Sequence, residues 1–67
     1  MSDLSELRAI EDDLKRAERQ FADVRDALAD SQDAYERGKL LARLDTHRQT
    51  VSRLRSDLRL CAERLKP

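Results

Sequence analysis

His47 and Cys61 are the residues whose types are best suited to chemistry in this chain. An imidazole and a thiol sharing a site can make a base–nucleophile pair or supply two zinc ligands. Here they stand fourteen residues apart in a stretch that reads as one helix, about 21 Å at 1.5 Å per residue. Within one chain they can neither share a metal ion nor exchange a proton. The carboxylates Glu11-Asp12-Asp13 lie where a solvated helix face is expected, and nothing pairs them across a pocket. Gly38 is the only glycine, so there is no glycine-rich phosphate loop, and no zinc-type spacing occurs. The expectation is a protein that is not an enzyme, with no catalytic residue, no cofactor and no metal. His47 then reads as a polar seam residue opposite Leu28 that fixes register, and Cys61 as a small hydrophobe.

The elements that must position these residues follow from composition and spacing. Sixty-seven residues make one small domain, and 42% of them are charged. A single Cys cannot form an intrachain disulfide, which fits a reducing compartment. The start, MSDLSELR, lacks the apolar core of a signal peptide, and the longest apolar run is Leu40-Leu41-Ala42. A cytoplasmic, soluble protein with no membrane association is expected.

Leu, Ala, Glu, Arg, Asp and Lys dominate, and the one proline is the last residue, so helix is favoured nearly throughout. Leu7, Ile10, Leu14, Ala17, Phe21, Val24, Leu28, Ser31 and Tyr35 recur in alternating steps of three and four. Leu40, Leu44, His47, Val51, Leu54, Leu58, Cys61 and Leu65 do the same. Each is a heptad seam of coiled-coil type. The two seams differ in phase by two residues, and the slip falls at Gly38. Glycine is favoured just past a helix C-terminus, and Arg37 would complement the helix dipole there. The expected fold is an all-α, two-helix antiparallel coiled-coil hairpin, with helices over about 3–36 and 40–66 and a turn at 37–39. Two alternatives stay open: a turn at Asp30-Ser31-Gln32-Asp33 with Ser31 as cap, or one long helix overwound near Leu41. Asp3 and Glu6 have capping-box spacing at the start of the first helix.

A turn at Gly38 would set Val24 opposite Val51, Phe21 opposite Leu54, Ala17 opposite Leu58, Leu14 opposite Cys61 and Ile10 opposite Leu65. Leu14, Phe21, Val24, Leu28, Leu44, Val51, Leu54 and Leu58 would then hold the hairpin. Two helices bury only one stripe each, which is little core for a chain of this size. Ala22 and Ala29, which allow close approach, and Leu41 and Leu60, outside the seam, are the expected partner-binding residues.

Residues 1–37 hold eleven acids and six bases, and residues 38–67 hold three acids and eight bases, so balances of −5 and +5 face each other. The second-half bases lack interleaved aromatics, and the acidic first half would compete with phosphate, so no nucleic-acid partner is expected. The narrow apolar stripe without Trp does not fit a membrane-surface helix.

In length and layout, with an acidic first helix, Arg37-Gly38 and a second helix of similar length, the chain resembles the E-component co-chaperones of type III secretion needles (the YscE/PscE family). That resemblance implies a helical hairpin that binds a tetratricopeptide-like, helical-repeat chaperone, which holds the needle subunit unpolymerised in the cytoplasm. The segment Tyr35–Arg43 resembles part of exonuclease VII small subunits, which implies an accessory subunit. The segment Leu54–Leu65 resembles the SlyX family of short coiled coils, which implies a self-associating homodimer or four-helix bundle.

Overall fold

The computed structural model describes residues 3–66, and the side chains of residues 4–66. Helix α1 runs from Asp3 to Asp30 (28 residues) and helix α2 from Ala34 to Arg64 (31 residues). They lie side by side as an antiparallel all-α hairpin measuring 52 × 15 × 14 Å. The capping-box pairing expected of Asp3 falls on a side chain outside the described residues.

The chain turns at Ser31-Gln32-Asp33 and not at Arg37-Gly38-Lys39, so the expected helix boundaries at 36 and 40 move to 30 and 34. Three local interactions account for this. Asp33 takes an extended backbone (φ −86°, ψ 124°), and its side chain accepts a hydrogen bond from the Glu36 N–H at 3.0 Å. Asp33 is therefore the N-cap of α2, with Glu36 at capping-box spacing. The Arg37 guanidinium reaches back and donates to the carbonyls of Leu28 (2.8 Å) and Ser31 (2.9 Å). It thus adds a second donor to the Leu28 carbonyl, which also accepts from the Ser31 N–H at 3.3 Å, and gives the Ser31 carbonyl in the turn a donor. Gly38 does not adopt a positive φ and lies within α2. Ser31, the cap considered for a turn here, leaves its hydroxyl oxygen buried without a hydrogen-bond partner.

The helix interface is a single stripe. Ala17 and Val24 of α1 and Leu40, Val51 and Cys61 of α2 are buried. Leu7, Ile10, Leu14, Phe21, Leu28, Leu44, His47, Leu54 and Leu58 are half-buried along the same line. Tyr35, placed in the first seam by its spacing, belongs instead to the first turn of α2, where it is 74% exposed. The Lys39 ammonium sits 4.9 Å from its ring centroid. Leu65 is the C-cap of α2, 36% exposed.

Moving the turn toward the N-terminus also moves the register. Phe21 and Val51 line one groove together, and Ala17 and Leu54 line another. Phe21 and Ala17 thus share a groove with α2 residues three and four positions nearer the loop than a turn at Gly38 would give, about one helical turn.

Candidate protein-binding surface

Two helices in contact leave an open groove along each flank. One flank carries an open groove of about 760 Å³ floored by Phe21, Ala22 and Val51. Its banks carry Glu18 and Arg25 from α1 and Arg48, Ser52, Arg55, Ser56 and Arg59 from α2. Toward the loop it runs into a smaller hollow that shares Phe21 and Arg48 and adds Leu41, Leu44 and Asp45. On the opposite flank, nearer the chain ends, Leu60 lines a hollow of about 750 Å³ with Ala9 and Ile10, among Glu6, Asp57, Glu63 and Arg64.

The four expected partner-binding residues therefore do not share one face. Ala22 is half-buried in the floor of the first groove, and Ala29 stands seven residues on, exposed on the same side of α1. Leu41 extends that groove and is 53% exposed. Leu60, 54% exposed, belongs to the other flank. The leucines are nineteen residues apart, about 28 Å along the axis and 100° around it. The residues each one lines a groove with, Phe21 and Arg48 for Leu41, Ala9 and Ile10 for Leu60, set them on opposite sides of the stripe that α2 buries.

Spacing alone held a signal that the sequence reading missed. Arg48, Ser52, Arg55 and Arg59 follow steps of four, three and four, which brings them to one side of α2. Counted only as eight bases of the second half, they hid this stripe.

The charge asymmetry of the sequence becomes an asymmetry between helices. With the bounds observed, α1 holds nine acids and five bases, and α2 four acids and eight bases, or −4 against +4. Among the described residues, two pairs bridge the helices: Arg55 to Glu18 at 2.9 Å and Arg64 to Glu6 at 3.1 Å. Their side chains are largely exposed, so each pair fixes an arrangement more than it stabilises one. Hydrogen bonding to Cys61, and then Glu6, holds the Arg64 proton more firmly than usual.

Of the residues suited to chemistry, Cys61 is fully buried and His47 half-buried, each packed in the helix interface. Among the described residues, no three His, Cys, Asp or Glu side chains come together as a metal cluster would require. Among the same residues, no helix is long and apolar enough to cross a membrane.

No family model, no curated protein and no solved structure matches this chain.

Proposed function

We propose that this protein is a non-enzymatic, cytoplasmic hairpin that works by binding another protein, as a co-chaperone stabilising a larger helical-repeat chaperone. One observation carries the reading: the chain exposes far more surface than its mass requires, and that surface holds large apolar residues. The area is 5371 Å², whereas a compact monomer of 7.8 kDa exposes about 4,400 Å². The excess, about 1,000 Å², is comparable to one side of a standard protein–protein interface, about 800 Å². Leu4, Leu41 and Leu60 are each more than half exposed on it, while five of the described residues make up the buried core. A partner helix laid in a flank groove would cover such side chains and add the core that the hairpin lacks.

The type III secretion form of this reading, with a tetratricopeptide-like chaperone and a needle subunit as partners, rests on length and two-helix layout. Arg37-Gly38 no longer supports it as a turn, since both residues lie within α2. A second reading, self-association into a four-helix bundle, is favoured by the hollow around Leu60. Exposed Leu60 with Ala9 and Ile10 gives two copies an apolar patch to share there, and the apolar contact carries this reading, because the acids Glu6, Asp57 and Glu63 outnumber Arg64.

The test is a tagged pull-down from the native lysate with partners identified by mass spectrometry, repeated with Leu41→Asp and Leu60→Asp. Recovery of a helical-repeat protein together with a needle-type subunit supports the co-chaperone reading. Recovery of the hairpin alone, with dimers in sedimentation, favours the bundle. Each leucine variant should keep its helicity, and the one that loses the partner marks the flank that binds.

A further inference from the structure

From the groove floored by Phe21 and Val51, we infer that the occupant is an acidic amphipathic helix whose carboxylates meet Arg25, Arg48, Arg55 and Arg59. This inference rests on the protein-binding reading above and names the chemistry of the partner.

The groove joins two kinds of surface. Its floor is apolar: Val51 is buried, and Phe21 and Ala22 are half-buried, with Ala22 small enough to let another backbone come close. Its banks are basic: four arginines stand against Glu18, and the extension toward Leu41 adds Asp45, which pairs with Arg48 at 3.0 Å. Arg48, Arg55 and Arg59 stand on one side of α2 over eleven residues, about 17 Å or three helical turns. Leu41 and Leu44 continue the apolar line toward the loop. From Leu41 to Arg59 the groove is about 27 Å long, which matches a helix of about 18 residues.

The arginines remain available. Arg25, Arg48 and Arg55 keep 62%, 73% and 65% of their side-chain surface exposed despite their ion pairs. The pair between Arg25 and Asp26 is long, 3.9 Å. A guanidinium already paired on one edge still has donors for a second carboxylate. A third helix in this groove would exclude water from the banks, and charge pairs gain when desolvated on both sides. Apolar residues at steps of three and four would fill the floor. Carboxylates at steps of seven and four would meet the arginines of α2.

The other occupants fit less well. A second copy using the same groove would set arginine against arginine. A second copy offering the outward side of α1 would bring acids but, among the described residues, Leu4 as its one large exposed apolar side chain. A nucleic acid would find one aromatic ring, an apolar floor under its phosphates and an acidic helix as one bank.

Two synthetic 18-residue amphipathic peptides with the same Leu/Ala face test this, one carrying Glu beside that face and the other Lys at those positions. A 20-base-pair DNA duplex is the third probe, and binding is read by fluorescence anisotropy. The Glu peptide should bind at least about tenfold more tightly than the Lys peptide, and less tightly as salt rises. Arg48→Glu with Arg55→Glu should abolish or invert that preference, and Arg53→Glu, in the opposite groove, should leave it. Circular dichroism reports the fold, and Arg48→Gln with Arg59→Gln gives the same reading should the reversal variant unfold. Equal binding of the two peptides, no binding of either, or tighter binding of the duplex overturns the inference. Should a protein partner captured from lysate stay bound to the reversal variant, the groove assignment falls while the protein-binding reading stands. Should the Glu peptide bind while the lysate yields no partner, the groove chemistry stands and the co-chaperone reading falls.

Discussion

Apart from its chain neighbours and its own helix backbone, Gly38 has no atom within 4 Å of the place a Cβ would occupy, and its backbone is helical. Alanine there should therefore raise stability by about 0.5–1 kcal/mol, since glycine in a helix carries the larger entropy loss. The urea midpoint of Gly38→Ala measures this. A glycine ending a helix in the left-handed region would instead make alanine destabilising, so the sign of the shift also locates the turn. Asp33→Ala removes the N-cap of α2 and should lower stability by about 1 kcal/mol in the same assay. An unchanged midpoint would mean that the Glu36 N–H loses nothing when the carboxylate goes.

At the scale of elements, the seams were legible because heptad spacing survives any choice of turn. Leu14, Phe21 and Leu28 lie on the inner line of α1, and Leu44, Leu54 and Leu58 on that of α2. Leu54→Asp puts a carboxylate in that line and should cost more than about 2 kcal/mol, read as loss of far-ultraviolet helical signal. Retained helicity would mean that another side chain takes over the contact. The turn was less legible, because two signals competed. Glycine marks helix ends often enough to draw attention, but a glycine can be carried inside a helix at modest cost. The stronger signal was Asp33 followed three residues later by Glu36. The reach of Arg37 back to Leu28, nine residues away, is invisible to any local reading. The grooves depend on that turn. With register and phase fixed, Leu41 and Leu60 fall on opposite flanks, which a grouping by residue type alone does not reveal.

The whole molecule is two rods of opposite charge, −4 and +4, joined at one end and packed along a thin core. Salt should weaken their attraction. Between 0.01 and 0.5 M sodium chloride the urea midpoint should fall by the equivalent of about 1 kcal/mol, because exposed pairs are screened beyond the Debye length. A midpoint that rises with salt would mean that repulsion within each helix outweighs attraction between them. The same asymmetry explains why net charge told little about function. The sum is zero, yet one flank gathers arginines over an apolar floor.

The clip of Arg37 onto the end of α1 has a consequence in time. Residues joined by the turn are close along the chain, whereas Arg64 meets Glu6 across 58 positions. Closing the short loop first costs the least entropy, and each later contact then closes only a little more chain. Folding should start at the loop and zip toward the chain ends. In a chevron experiment, Asp33→Ala should mainly slow folding, and Leu58→Ala, in the open half, should mainly speed unfolding. If both changes moved the unfolding arm alone, the hairpin would be closing elsewhere first. On this order of events the open ends are the last to zip and the first to part, so proteases and exchanging solvent would enter there.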